Sequence, residues 1–137
     1  MKVVLDTNIL ISALISPGGE ADHLYQAWRT GQFTLISSEE QLEEFRRVTR
    51  YPRMKPFIPF SDAGTMVNEV RLLAEMVSEL PQVDASPDPG DNFVLAMAEA
   101  GQADYLVTRN RKDLLDLARF KNTVIVLPAQ LIAVLRR

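Results

Sequence analysis

The first candidate for chemistry in this sequence is Asp6, which comes directly after an apolar run. Val3, Val4 and Leu5 show no polar alternation, a pattern typical of a parallel strand that is buried on both faces. Open α/β sheets place their ligand sites at the carboxyl ends of such strands. Asp6 is therefore a candidate site residue, and the competing interpretation is that it only turns the chain or caps the next helix.

A second acid is found on a predicted helix whose apolar face carries Leu42, Phe45 and Val48. At about 100° per residue, Glu44 lies about 40° from Val48, whereas Glu43 lies nearly opposite the centre of that face. We therefore expect Glu44 to flank the core and Glu43 to face solvent. The competing interpretation is that both are ordinary surface glutamates.

Asp91 is the third candidate, at the start of a compact apolar helix predicted for residues 92–100. Apolar residues at i+3, i+4 and i+7 place its side chain above the buried stripe of that helix. A simple helix N-cap is the competing interpretation. Asp88, which stands among prolines, is interpreted as a loop residue.

Further polar residues follow the strand predicted at Tyr105–Val107. Thr108, Asn110 and Asp113 are candidates there, and helix capping competes with a functional role for each. Three successive strand-to-helix junctions thus present an acid or an amide at one edge of the predicted sheet, and this coincidence favours a shared site. Three cations flank the last junction: Arg109, Arg111 and Lys112.

The residue types of this cluster indicate a hard divalent cation. Carboxylates cannot all stay ionised in a confined cleft without compensating positive charge. The chain has no Cys and one His, so oxygen ligands are available and the usual zinc ligands are not. The cluster therefore predicts Mg²⁺ or Mn²⁺. With His23 as the only histidine, on a predicted helix, a Ser-His-Asp hydrolase has little support.

Composition predicts one globular domain spanning residues 1–137. Hydrophobic residues make up 47% of the chain and charged residues 24%, which argues against disorder. The absence of Cys rules out disulfides and fits a cytoplasmic protein. The sequence shows neither a basic leader followed by an apolar segment nor an apolar run of membrane-spanning length, so we expect a soluble protein without a membrane partner.

Charge is unevenly distributed along the chain. The net charge is −3, yet one short segment contains five cations and no acid, which leaves ten basic and 18 acidic residues elsewhere. This segment is a candidate for binding the backbone of a nucleic acid, as are Arg109, Arg111 and Lys112. A solvated charged face whose aliphatic stems pack on the core is the alternative for the segment. Its cations are Arg46, Arg47, Arg50, Arg53 and Lys55.

Short apolar runs alternate with helical patterns, which predicts an α/β fold with a central parallel sheet of about four to five strands flanked by helices. Ser38 and Gln41 are spaced as a capping box for the helix that carries Glu44. Prolines at 52, 56 and 59 predict an extended connection after it. A long helix capped by Ser61 or Asp62 is predicted to continue to Val77 and to form an inserted helical hairpin with its predecessor.

In the last third of the sequence, Gly101 is predicted to close the Ala-rich helix. A short helix is predicted over residues 114–118, followed by a strand at Thr123–Leu127. Pro128 is well placed as the first residue of a final helix.

Four blocks of this sequence resemble PIN-domain nucleases, and more closely the VapC-like ribonuclease toxins of toxin–antitoxin operons. The resemblance covers essentially the whole chain and depends on the order and spacing of the blocks. They are Val3-Val4-Leu5-Asp6-Thr7-Asn8, Leu42-Glu43-Glu44-Phe45-Arg46-Arg47-Val48, Asp88-Pro89-Gly90-Asp91-Asn92 and Ala103-Asp104-Tyr105-Leu106-Val107-Thr108-Arg109-Asn110.

The resemblance implies metal-dependent hydrolysis of RNA phosphodiester bonds. It assigns Asp6, Glu44 and Asp91 as catalytic and metal-binding acids, with Mg²⁺ or Mn²⁺ as cofactor. It also implies a homodimer or higher homo-oligomer and a small antitoxin protein as partner. Many PIN domains have an Asp two residues after the strand-ending Thr, where this chain has Asn110, so Asp113 is a weaker candidate for the fourth ligand.

Other polar residues at the site are expected to support these acids. Asn8, Thr108 and Asn110 are candidates for orienting a carboxylate or the substrate. Asn8 also stands where phosphatases with a strand-end aspartyl nucleophile carry their second Asp, which argues against that class. Two further alternatives are a non-catalytic RNA-binding or partner-binding PIN module and a PIN nuclease in RNA processing outside a toxin–antitoxin pair.

Overall fold

The strands form one six-stranded sheet in the computed structural model, which describes residues Met1–Arg137. The strands are β1 (Lys2–Leu5), β2 (Thr34–Ser37), β3 (Glu75–Met76), β4 (Tyr105–Val107), β5 (Arg119–Phe120) and β6 (Thr123–Val126). Their spatial order is β3-β2-β1-β4-β6-β5, and all neighbours are parallel except β5 and β6. The α/β class with a mainly parallel sheet is confirmed.

The strand order reverses direction at β1. From β1 the chain winds outward through β2 to β3, and it then returns to the other side of β1 to form β4 and β6. Crevices at such reversals, beyond the carboxyl ends of the strands, are where doubly wound sheets bind ligands. Val4 pairs with Ile36 on β2 and with Leu106 on β4, so the three central strands end at the same level.

Six helices cover the two faces of the sheet. They are α1 (Thr7–Ile15), α2 (Glu20–Arg29), α3 (Glu39–Thr49), α4 (Phe60–Leu73), α5 (Pro89–Gly101) and α6 (Pro128–Leu135). Alternate residues of each strand point to opposite faces of the sheet. Val3 and Leu5 therefore belong to a core cluster with α1, α2, α3, α4 and α6, whereas Val4 belongs to a second cluster with α5.

α5 ends at Gly101, as predicted, and the glycine also has a packing role. A Cβ atom on Gly101 would lie 2.6 Å from Cδ1 of Ile36, so the glycine allows the end of α5 to approach β2 closely. The left-handed residue that ends α5 is the next one, Gln102, with φ of 54°. Pro128 is the first residue of α6, as predicted.

The segment between α3 and α4 differs from the prediction. The connection is a compact series of turns with a 3₁₀ helix at Pro52–Met54, not an extended strand-like segment. The following helix, α4, is preceded by Pro59 and has no side-chain cap, so the predicted caps Ser61 and Asp62 are wrong. It ends at Leu73 rather than at Val77, because the chain leaves the helix to pair as β3 with β2. α4 packs against α3, as the predicted hairpin required.

The region before β6 also differs. Instead of a helix over residues 114–118, the chain forms turns and a 3₁₀ helix at Leu115–Leu117. Ala118 then adopts a left-handed φ of 65°, which leads into β5. The two strands missed from the sequence, β3 and β5, have two residues each and lie at the two edges of the sheet. No helix has the length and apolar character needed to cross a membrane.

Candidate active site

Asp6 lies where β1 meets α1, beside the β4 edge of the strand. Its backbone N–H donates to the carbonyl of Val107, 3.0 Å away, which extends the β1–β4 pairing by one residue. Asp6 occupies the N-cap position of α1, yet its side chain makes no capping hydrogen bond. Oδ2 instead accepts a 2.8 Å hydrogen bond from the hydroxyl of Thr108. The half-buried carboxylate is therefore held mainly by the neighbouring strand end.

The side chain of Gln41 on α3 fixes the β1–α1 junction through hydrogen bonds. Its buried Nε2 donates to the carbonyl of Leu5 at 2.7 Å and to Thr7 Oγ1 at 3.4 Å, while its Oε1 accepts from the hydroxyl of Ser37 at 2.6 Å. Ser38 caps α3 through the backbone N–H of Gln41, at 3.1 Å. The predicted reciprocal half of a capping box is wrong, because the Gln41 side chain bonds to β1 instead.

Glu44 and Glu43 face different surroundings, as the helical phase predicts. Glu43 is exposed, and Glu44 is half-buried. Glu44 and Val48 line a cleft of about 520 Å³ together with Asp6 and Asp91. The cleft lies beyond the carboxyl ends of β1 and β4, where the strand order reverses. The other lining residues are Thr7, Asn8, Ile9, Ser12, Asp88, Gly90, Val94, Arg109 and Asn110.

Asp91 lies in the first turn of α5 and is 7% exposed. It is not the N-cap of that helix. Asp88 has that position, accepting at 2.8 Å from the N–H of Gly90, so interpreting Asp88 as a simple loop residue is wrong. The carboxylate of Asp91 accepts from Ser86 Oγ at 3.2 Å and from Asn110 Nδ2 at 3.1 Å. Both of its oxygens are thereby oriented.

A short polar network after β4 joins the two aspartates. Thr108 Oγ1 donates to Asp6 and accepts the backbone N–H of Asn110 at 3.0 Å. Asn110 donates its side-chain amide to Asp91, and its Oδ1 accepts weakly from the N–H of Asp113 at 3.4 Å. Thr108 is fully buried and does not line the cleft itself, so its contact with the cleft is made through Asp6.

Asp113 forms a second group of acids with Asp88 and Asp91. Carboxylate oxygens of Asp88, Asp91 and Asp113 all lie within 4.8 Å of one another. Asp113 does not line the cleft that contains Asp6 and Glu44. Asp88 and Asp91 therefore belong to both groups of acids, and the fourth acid of the sequence prediction adjoins the cleft through them and through Asn110.

Burial and mutual repulsion raise the pKa values of the two central aspartates. Burial raises the pKa of Asp6 most; the Thr108 hydrogen bond acts in the opposite direction, and the charges of Glu44 and Asp91 raise it further. Burial is also the largest cause of the raised pKa of Asp91, opposed by Ser86 and Asn110 and reinforced by the charges of Asp88 and Asp113. The protein alone thus leaves negative charge uncompensated here.

The predicted cations are only partly at the cleft. Arg109 is its sole cationic lining residue, and its guanidinium donates to Ser12 Oγ at 3.4 Å and lies 3.6 Å from a carboxylate oxygen of Glu20. The neighbouring Arg111 and Lys112 are exposed and do not line the cleft. The basic segment of α3 and the following turn also lies outside it, with Arg46 and Arg50 beside a separate groove.

Three residues of the site were missed from the sequence. The pair Asp88-Pro89 has the pattern of an N-cap followed by Pro at the first helical position, which could have moved the predicted start of α5. Ser86 lies five residues before Asp91, in a proline-containing segment without a periodic pattern, and nothing local indicates its contact. Gln41 bonds to residues 34 and 36 positions away, which no local pattern predicts.

The fold and the cleft define a doubly wound α/β protein with an acidic, oxygen-lined site at the reversal of its strand order. A family model described as PIN domain matches residues 2–112, and the chain belongs to this family. No curated protein matches the chain.

Two of the solved structures that resemble this fold come from Rickettsia felis and Neisseria gonorrhoeae. One is the crystal structure of VapBC2 from Rickettsia felis bound to a DNA fragment from the VapBC2 promoter. The matched chain has a TM-score of 0.58 and 17% sequence identity, and the match covers 93% of this chain and 98% of that chain. Another is FitAcB from Neisseria gonorrhoeae, with a TM-score of 0.54 and 12% identity over the same shares of the two chains. These likenesses support the fold.

Proposed function

We propose that this protein is a Mg²⁺- or Mn²⁺-dependent endoribonuclease that hydrolyses RNA phosphodiester bonds. The observation that carries the proposal is that Asp6, Glu44 and Asp91, from three different elements, line one cleft of a PIN domain. In this proposal they are the metal-binding acids of the active site, and Asp113 is a weaker ligand whose carboxylate lies within 4.8 Å of those of Asp88 and Asp91.

The donor set of the cleft fits such an ion. Its polar side chains offer carboxylate, hydroxyl and amide oxygens, with neither Cys nor His among them. Burial, and after it the charges of neighbouring carboxylates, raise the pKa values of Asp6 and Asp91, and a bound divalent cation would stabilise their ionised forms. Arg109, the only cation at the cleft, is already engaged by Ser12 and Glu20.

In the proposed reaction, the chain's own residues position the reacting groups. Asp6, Glu44 and Asp91 would hold the ion, and the hydrogen bonds from Thr108 and Asn110 fix the orientation of the two aspartates. When bound, the ion supplies charge that stabilises the scissile phosphate in the transition state and lowers the pKa of an attacking water. Arg109 is suited to contact the substrate backbone at the rim of the cleft.

The proposed biological role is that of the toxin in a type II toxin–antitoxin pair, acting on RNA in the cytoplasm. The sequence blocks shared with VapC-like toxins and the fold shared with VapBC2 and FitAcB support this role. We accordingly propose a small antitoxin protein as partner and a homodimer or higher homo-oligomer as the assembly. Expression of the wild-type protein in a bacterial host should arrest growth, and expression of Asp6→Asn should not.

The biochemical test uses purified protein with single-stranded and structured RNA, in Mg²⁺ or in excess chelator. We expect cleavage by the wild type in Mg²⁺, none in chelator, and none by Asp6→Asn in either condition, because Asn is nearly isosteric but carries no charge for the ion. Cleavage that persists in chelator or in the Asp6→Asn variant would show that the proposed mechanism is wrong. Binding without any cleavage would favour the non-catalytic alternative.

A further inference from the structure

The exposed aromatic side chains of this protein are confined to one stretch of ten residues. The chain has six Phe, three Tyr and one Trp. Only Tyr51, Phe57 and Phe60 are exposed, at 36%, 61% and 74%. All three lie between the end of α3 and the start of α4, on a surface whose residues, Arg46–Phe60, we call the basic aromatic surface.

Cations and aromatic rings alternate on this surface. Its five arginine and lysine side chains are all exposed, and the segment that carries them has no acid. The guanidinium of Arg50 lies 5.2 Å from the centre of the Phe60 ring, and that of Arg53 lies 5.3 Å from the centre of the Tyr51 ring. Since Phe60 remains 74% exposed beside Arg50, most of its ring is open to a further stacking partner.

A groove between α3 and α4 adjoins this surface, on the other side of α3 from the candidate active site. It has a volume of about 230 Å³, and none of its lining residues is acidic. α3 separates the groove from the acidic cleft: Glu44 and Val48 line the cleft, whereas Arg46 and Arg50 line the groove. A polyanion that leaves the cleft and crosses α3 therefore reaches the positive charges of Arg46 and Arg50. The lining residues of the groove are Arg46, Thr49, Arg50, Ile58, Phe60, Ala63, Gly64 and Asn68.

A solvated charged face and a protein-binding face each account for only part of the basic aromatic surface. Solvation of charge explains the cations but not three exposed aromatic rings. Protein interfaces combine aromatic residues with arginine, but their cores are depleted in charged residues, whereas this surface has five exposed cations, and every exposed large apolar side chain on it is aromatic. The exposed leucines Leu72 and Leu73 lie at the opposite end of α4.

We infer that the basic aromatic surface binds single-stranded RNA that leads out of the acidic cleft. Its cations contact the phosphates of the strand. Phe60 and the nearby Phe57 stack on unpaired bases, as aromatic side chains do in other proteins that bind single strands. The inference rests on the proposed ribonuclease function and adds to it a second surface, outside the cleft, that holds the unpaired strand. Bases inside a duplex are already stacked and are not available to Phe60.

The test measures RNA affinity separately from cleavage. In an Asp6→Asn background, which blocks the proposed cleavage, the affinities for a labelled single strand of about 12 nucleotides and for the matching duplex are measured by fluorescence anisotropy. Phe60→Ala should weaken binding of the single strand about tenfold and leave duplex binding unchanged. Arg50→Ala should lower the slope of log affinity against log salt by about 0.7 on the single strand.

Matched controls remove an exposed leucine and an exposed arginine elsewhere. Leu72→Ala and Arg119→Ala should leave both affinities unchanged. The inference is overturned if Phe60→Ala and Arg50→Ala bind the single strand as tightly as their parent, or if they change only self-association or binding of a protein. Because binding is read without turnover, an absence of RNA cleavage by the wild type counts against the proposed function and leaves the binding result interpretable.

Discussion

The side-chain amide of Asn110 donates a 3.1 Å hydrogen bond to Oδ1 of Asp91. Asn110 stands where many PIN domains carry an acid, and in this chain it contributes a donor to a carboxylate that already has Asp88 and Asp113 as charged neighbours. Its backbone N–H also bonds to Thr108, which holds Asp6. Asn110 thus connects the two central acids without adding to their repulsion.

Replacing Asn110 by Asp should therefore lower the stability of the metal-free protein and raise its affinity for the metal ion. In chelator, Asn110→Asp should unfold at a lower temperature than Asn110→Ala, which loses only a hydrogen bond worth about 1 kcal/mol. With Mn²⁺ the added charge should make Asn110→Asp the tighter binder. Thermal unfolding with chelator and with a Mn²⁺ series measures both effects. Equal behaviour of the two variants in chelator would contradict a role for charge repulsion at this position.

The Asp6 carboxylate should cost stability when no cation is bound. Burial raises its pKa, and the charges of Glu44 and Asp91 add to the effect. In chelator at neutral pH, Asp6→Asn should be at least as stable as the wild type. Saturating Mn²⁺ should stabilise only the wild type, by about 2.7 kcal/mol at 100 times the dissociation constant. Urea unfolding tests this, and equal stabilisation of both proteins by Mn²⁺ would refute a role for Asp6 in binding.

Asp113 is predicted to contribute to ion binding through the group it forms with Asp88 and Asp91. Asp113→Asn should weaken Mn²⁺ binding in calorimetry, or remove the weaker of two binding events. Asp116→Asn removes an exposed acid three residues away that is outside this group, and it is the matched control. If the two variants bind Mn²⁺ identically, the contribution of Asp113 is ruled out.

Tyr25 gives a pH-dependent prediction about the packing of α2 on α4. Its hydroxyl donates to Glu69 at 3.0 Å, and burial raises its pKa from 10.0 to about 12. Between these pKa values the unfolded chain loses a proton that the folded chain retains, so stability from Tyr25 is present below pH 10 and falls as the pH rises towards 12. Tyr25→Phe should be less stable than the wild type at pH 8, and the difference should shrink at pH 11. A difference that stays constant with pH would contradict the raised pKa.

Local patterns in the sequence predicted the parts of the site that depend on local structure. The apolar run before Asp6 indicated a buried strand end, and the helical phase distinguished Glu44 from Glu43, because both depend on residues within one element. The edge strands β3 and β5 were missed because two residues carry no periodicity, and only their pairing with β2 and β6 defines them.

Contacts between distant residues account for what remained unpredicted. Gln41 was predicted to complete a capping box, but its amide reaches β1, which packs beside it only in the folded protein. One error is local: the prolines around Asp88 indicate a loop, although Asp followed by Pro also indicates the start of a helix. The position of Asp113 beside Asp91 depends on the path of the turn after β4, which the sequence does not specify.

The most direct test of a metal-dependent ribonuclease site in this cleft compares two neighbouring glutamates. Glu44→Gln and Glu43→Gln make the same chemical change one residue apart on α3, and only the first alters the cleft. Initial rates of RNA cleavage are measured in Mg²⁺ for both variants and the wild type, purified in parallel so that a contaminating nuclease would affect all three.

We predict that Glu43→Gln cleaves RNA at the wild-type rate and that Glu44→Gln is slower by more than about 100-fold, beyond the usual effect of removing a residue that only supports a metal ligand. Excess chelator should abolish the cleavage by the wild type and by Glu43→Gln. Equal rates for the two variants, or cleavage that resists the chelator, would contradict the assignment of this cleft as the active site.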